Sequence, residues 1–133
     1  MVALLAGCGG LPRPFAGHPG ATARRLSQPP PARLAVVSPT GALLDDKAAA
    51  TMTTAVALAL AAKEVPALAE PAQKGDWRLV LAATAQNGRV VPAYTVLNPE
   101  GVAQGSVRGD PVDAAVWTTG DPVALARIAS QAA

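Results

Sequence analysis

Two strand-forming runs, Trp77 to Thr84 and Arg89 to Leu97, stand on either side of Asn87-Gly88. Asn-Gly between such runs is the strongest short hairpin signal, because a tight turn needs positive φ at both central residues and these two tolerate it. A two-residue loop also sets the register, pairing Leu81 with Tyr94 and Leu79 with Val96. Cross-strand neighbours share a face, so Trp77, Leu79, Leu81, Tyr94 and Val96 fall on one side of the hairpin, with Arg78 and Thr95 on the other. Pro92 has no amide hydrogen to give a ladder, which predicts an edge or a bulge at that point.

The surrounding segments extend this unit into a mixed fold. Arg33-Leu34-Ala35-Val36-Val37 reads as a buried strand stopped by the turn-forming Ser38-Pro39-Thr40-Gly41. A long helix is predicted from about Leu44 to Glu64, with Asp45 and Asp46 in its first turn, Lys63 near its end and Pro66 beyond it. Met52, Ala55, Val56, Ala59 and Leu60 recur at spacings of three and four, with Leu58 beside them. So many alanines suit close packing against a flat partner such as a sheet. The apolar stretch from Ala55 to Ala62 is far short of the ~20 residues that span a bilayer.

A short strand is possible near Val65 to Ala69, and Asn98-Pro99-Glu100-Gly101 reads as a type I turn leading into a strand from Val102 to Val107. The length of that loop, and so the facing of its strand, stays open. Asp110-Pro111-Val112 and Asp121-Pro122-Val123 each place a capping acid before a proline at a first helical position. The first predicts a single helical turn holding Trp117, the second a helix from Pro122 to Ala133. The expected fold class is therefore an α/β two-layer sandwich: strand, long helix, antiparallel three-strand meander and C-terminal helix, with helices over one sheet face. With only Phe15, Trp77, Tyr94 and Trp117 aromatic, the core is built mainly from Ala, Val and Leu.

Charge is uneven along the chain. Residues 1–33 carry Arg13, Arg24, Arg25 and Arg33 and no acid, whereas residues 34–133 carry seven basic and nine acidic side chains. No aromatic is interleaved with the basic residues of the domain, so no nucleic-acid partner is expected. The early arginines either favour an anionic membrane surface or keep a linker soluble. From Gly9 to Ala32 the chain is rich in proline and glycine and has no apolar periodicity, and its 24 residues read as a tether. Such a tether spans roughly 25–30 Å as a coil and about 75 Å if wholly polyproline-like. Pro29-Pro30-Pro31 reads as a stiff spacer in preference to a ligand for a proline-binding groove, and His18 as a solvated linker residue.

No catalytic constellation is evident. Asp110, Asp113 and Asp121 are close in sequence but are explained as helix caps or first-turn acids. Ser38 and Thr40 lack a base, since the sole histidine lies in the tether, and Gly105 to Gly109 is not followed as a phosphate loop must be. The chain reads as no enzyme, with no cofactor, no metal site and no small-molecule substrate. A single cysteine excludes an internal disulfide and a cysteine-cluster zinc site.

That cysteine is the most informative residue. Leu5-Ala6-Gly7-Cys8 resembles a bacterial lipobox, the motif that closes a lipoprotein signal peptide. The resemblance implies a signal peptide over residues 1–7, recognition of Leu5, Ala6 and Gly7 by the signal peptidase, and diacylation of Cys8 at the new amino terminus. Residues 8–32 are then the acylated cysteine and its tether, and residues 33–133 one globular domain. The segment before Cys8 lacks the basic start and most of the apolar core of a secretory signal, so the natural start codon is expected upstream. Two or three acyl chains anchor stably where one does not.

A strand, a long helix and an antiparallel meander on a proline-rich tether behind such a cysteine are similar to periplasmic lipoproteins that activate penicillin-binding proteins, and to curli-secretion lipoproteins. The resemblance implies a domain that binds a protein. The expected function is a membrane-anchored, non-catalytic binding or accessory module of the bacterial cell envelope, on the periplasmic face of the outer membrane. Its partners are membrane lipid through acylated Cys8 and an envelope protein or wall component. The alternative is a structural lipoprotein, or one repeat of a longer multi-domain or secretion assembly.

Overall fold

A computed structural model describes residues 20–21 and 33–133; Leu5, Ala6, Gly7, Cys8, His18 and the triple proline lie outside the described residues. The elements are β1 (Leu34–Val36), α1 (Asp46–Ala61), β2 (Ala67–Leu68), β3 (Trp77–Gln86), β4 (Arg89–Leu97), β5 (Ala103–Arg108), β6 (Val112–Asp113), α2 (Ala114–Thr119), α3 (Pro122–Ala129) and a closing 3-10 turn, Ser130–Ala132. They form a two-layer α/β sandwich. The sheet order is β2-β1-β3-β4-β5, with β6 also pairing β4. β1 runs parallel to β2 and β3, and the remaining pairs are antiparallel.

The β3–β4 hairpin has the register that its turn dictates, with Leu79 opposite Val96 and Leu81 opposite Tyr94. Asn87 and Gly88 both adopt positive φ, 50° and 74°. Leu79, Leu81 and Tyr94 are buried under the helices. Trp77 shares their face but remains 38% exposed. It pairs with Leu34 at the start of β1, at the far end of β3 from the turn, and forms one wall of an open cleft there.

Pro92 is neither on an edge strand nor in a bulge. β4 is interior, and its outer neighbour changes along its length: β6 pairs with Arg89 and Val90, β5 with Ala93 to Leu97. Pro92 falls between them, where its missing amide hydrogen costs no ladder bond, and its carbonyl accepts from the Gly109 amide at 2.9 Å. The register shift of β4 against β5 lies instead at Val96/Leu97. The preceding loop runs from Asn98 to Val102, closed by Asn98 N–H to the Val102 carbonyl and Gly101 N–H to the Asn98 carbonyl. The strand begins one residue later than expected.

Helix α1 is shorter at both ends than the predicted segment. Asp45 is the N-cap, accepting from the Ala48 amide at 2.7 Å, so only Asp46 is a first-turn acid. Its last turn carries no basic residue; the chain leaves through Lys63 and a left-handed Glu64 (φ 63°) before Pro66 is reached. The buried stripe is Ala48, Ala49, Met52, Thr53, Val56, Ala57 and Leu60, and Leu58 is 66% exposed. Thr53 is tolerated there because its hydroxyl donates to the Ala49 carbonyl at 2.8 Å.

The two Asp-Pro-Val segments part ways. Asp121 caps α3, accepting from the Ala124 amide at 2.9 Å, with Pro122 opening the helix. Asp110 caps nothing. Val112 and Asp113 extend against Val90 and Arg89, and Asp113 becomes the cap of α2, accepting from the Ala115 amide at 2.8 Å. The expected helical turn holding Trp117 is present as α2, displaced past Val112 and Asp113, which pair with Val90 and Arg89 first. α3 itself ends at Ala129, where the backbone tightens into the 3-10 turn.

Trp117 on α2 is fully buried, and its indole N–H donates to the Ala42 carbonyl at 2.8 Å. Gly120, left-handed at φ 66°, lets the α2–α3 joint lie on α1, since a Cβ there would stand 2.8 Å from the Ala48 Cβ. Tyr94 reaches from β4 to α3, its hydroxyl donating to the Ile128 carbonyl at 3.4 Å.

Two outcomes follow from this packing. Gly88→Val, placing a β-branched residue at positive φ, lowers stability by about 1 kcal/mol or more in chemical denaturation. Burial pushes the Tyr94 phenol from its usual 10.0 up to about 12. A raised folded value means that the neutral phenol's contribution is complete below pH 10.0 and is lost as pH rises to about 12. Over that window the wild type loses stability more steeply than Tyr94→Phe, as paired melting curves would read.

Candidate functional site

Secondary-structure parity divides the hairpin into two surfaces. The odd positions of β3 and the even positions of β4 face the helices: Leu79, Leu81 and Tyr94 meet Met52 and Val56 of α1. The even positions of β3 and the odd positions of β4 face away, and this second face is built from Arg78, Val80, Ala82 and Thr84 beside Arg89, Val91, Ala93, Thr95 and Leu97. On β5, Arg108 lies opposite Ala93 and Ser106 opposite Thr95, whose hydroxyls are 3.1 Å apart. Val80, Val91, Ala93 and Leu97 are half-buried, and Ala82 and Thr84 are exposed. This face carries Val80, Val91, Ala93 and Leu97 together with Thr84 and Thr95 along its middle, and arginines at its margins.

Concave features lie elsewhere, among them a cleft of about 280 Å³ between Val37, Ser38, Thr54 and Glu70. A second cleft, of about 230 Å³ at one end of the sheet, is lined by Arg33, Leu34, Val65, Pro66, Trp77 and Val96. A wider, shallow groove of about 730 Å³ runs along α1 and α3, between Thr51, Thr54, Leu58 and Ala126. At the rim of the second cleft, the Arg33 guanidinium sits 3.2 Å from Glu70 and 3.5 Å from Asp76. Asp76 is 8% exposed, and its second oxygen accepts from the Gln73 amide at 2.8 Å, so this carboxylate organises the turn into β3.

The acids considered for chemistry are dispersed. Asp113 and Asp121 serve separate helix caps, and Asp110 is bound to Gln131, which donates to its carboxylate and accepts from its amide, each at 2.9 Å. Among the described residues, no three His, Cys, Asp or Glu side chains gather as a cation site requires. Gly105 and Arg108 belong to an edge strand, exposed throughout. The arginine margin of the open face was partly within reach of the sequence: the parity that sends Arg78 and Thr95 to the far side also sends Arg89 there. Arg108 was not, because its facing depends on the Asn98–Val102 loop and on the register shift that follows.

The ion pairs at the cleft rim are unequal. Asp76→Asn removes a buried charge that faces Arg33 and destabilises by about 1–3 kcal/mol, whereas Glu70→Gln, at an exposed partner, changes stability by less than about 1 kcal/mol. Equal losses in urea titrations would contradict this ordering.

No protein-family model matches the chain. No curated protein matches it. Among solved structures it is similar to the PelC dodecamer from Paraburkholderia phytofirmans in two crystal forms. A leucine-to-methionine variant aligns at 18% identity and a TM-score of 0.48, over 76% of this chain and 88% of that one. The second form aligns at 16% and 0.46, over 75% and 86%. At this identity and TM-score the likeness transfers no residue role and no activity to the chain.

Proposed function

We propose that the chain is a bacterial envelope lipoprotein, held at the periplasmic face of the outer membrane by acyl chains on Cys8, whose domain serves as a non-catalytic accessory module for an envelope protein or wall component. The observation that carries this reading is Leu5-Ala6-Gly7-Cys8: the only cysteine of the chain stands directly after a small-residue pair and a leucine. Small residues before the cut admit a peptidase, and acylation is the use of a lone thiol that explains both its surroundings and its place ahead of a proline-rich spacer.

The domain supports the same reading in a different way. Among the described residues no helix layer covers the second sheet face, and the acids weighed for catalysis serve backbone capping or a turn-to-helix contact. No described helix is long and apolar enough to cross a membrane, so the reading assigns attachment to acyl chains on Cys8.

Metabolic labelling with a tagged fatty acid tests the anchor, in a Gram-negative host and behind a complete lipoprotein signal sequence. Label on the wild type and none on Cys8→Ser is the expected result; an unlabelled wild type overturns the anchor and the location with it.

A further inference from the structure

The described domain holds five arginines: Arg33, Arg78, Arg89, Arg108 and Arg127. Three of them, Arg78, Arg89 and Arg108, stand on the open face of the sheet, opposite Leu97, Gln86 and Ala93 respectively. Among the described residues both ion pairs belong to Arg33, and none to these three. The one acid in register with the face, Asp113 opposite Arg89, already accepts the Ala115 amide with one oxygen. Between the arginines lie the half-buried aliphatic side chains of Val80, Val91 and Leu97.

We propose that this face is a docking surface for an anionic phospholipid bilayer. Charge complementarity selects the partner: three arginines border a largely aliphatic strip, and guanidinium groups match phosphate oxygens with paired hydrogen bonds. The clefts described above open elsewhere, along the helices or at the end of the sheet, and none of them is lined by Arg78, Arg89 or Arg108. Trp77, Tyr94 and Trp117 are all on the helix side or buried, so among the described residues no ring stands on this face for a base to stack on. The arginines would engage headgroup phosphates while the valines rest at the level between them.

This extends the lipoprotein reading, since it names the surface that would rest on the membrane to which Cys8 is attached, but its test needs no acylation. The Cys8→Ser chain is purified and sedimented with phosphatidylcholine vesicles, with and without phosphatidylglycerol. Binding is expected only with the anionic lipid and is expected to fall with salt. Each basic residue near such a surface is worth about 1 kcal/mol, so Arg89→Gln and Arg108→Gln should each lower the partition coefficient about fivefold, and together about 25-fold. Lys47→Gln, an exposed charge on the helix side, should leave it unchanged. All three side chains are exposed, so melting temperatures stay level and the losses report binding.

Three results overturn the proposal: no dependence on anionic lipid, equal losses from Lys47→Gln and Arg108→Gln, or arginine-dependent binding to soluble alginate that the vesicles fail to displace. The last would assign the face to an acidic polysaccharide. Vesicle binding with these dependences alongside an unlabelled Cys8 would leave this surface standing and remove only the anchor.

Discussion

Two residues, Asn87 and Gly88, join β3 to β4, and because side chains alternate strictly along a strand, that loop length decides which surface every hairpin residue occupies. A loop longer by one would send Leu79 and Leu81 to the open side and Arg78 to the core. The positive φ at both positions is the local cost of a turn whose twist matches the strands it joins. Helix packing, the burial of Tyr94 and the arginine margin of the far face all inherit from this register.

The helix layer solves a second problem, which is to build a core with few rings. Ala48, Ala49 and Ala57 bring α1 close to its neighbours, and Gly120 removes the last Cβ in the way of the α2–α3 joint. Dense packing replaces side-chain size. Trp117 then supplies the bulk that alanines cannot, buried completely and bonded through its indole N–H to the Ala42 carbonyl, 75 residues distant in sequence. That bond ties α2 to the loop between β1 and α1, where Gly41 also accepts from the Ala83 amide at 3.3 Å. The first and last thirds of the domain are thereby closed over the hairpin.

What was legible in the sequence is what local chemistry specifies. The hairpin register, the α1 stripe around Met52, Val56 and Leu60, and the Asp121-Pro122 cap all rest on neighbours within a few residues. Asp110-Pro111-Val112 has the same local signature as Asp121-Pro122-Val123, yet it lies beside a stretch of β4 that β5 leaves free, so Val112 and Asp113 pair there and the helix that holds Trp117 starts later, capped by Asp113. Pro92 shows the same limit from the other side. Its missing donor was readable, but that an interior strand can exchange one outer neighbour for another at that residue depends on where two distant segments end. The open face was half legible for the same reason: Arg78 and Arg89 follow from one turn, while Arg108 follows from a five-residue loop and a register shift.

A sheet face that no helix layer covers normally carries a dense polar pattern, and among the described residues this one is thinner: Val80, Val91, Ala93 and Leu97 outnumber Thr84 and Thr95 along its middle. Arginine is suited to both states of such a surface. In the free domain its methylene stem can lie along neighbouring aliphatic surface while the guanidinium stays hydrated, which shields part of the strip from water. Arg78 is placed for this, half-buried and with its guanidinium 3.1 Å from the position that a Cβ on Gly101 would take. Against a phosphate-bearing surface the same side chain needs to move only its terminal group, and the aliphatic strip it uncovers meets the partner instead of water. Lysine could supply the charge but not the paired donors, and its compact, strongly hydrated head resists the exchange. The placement of arginine, and of no lysine, on the far side of the β3–β4–β5 meander is therefore a chemical choice as well as an electrostatic one.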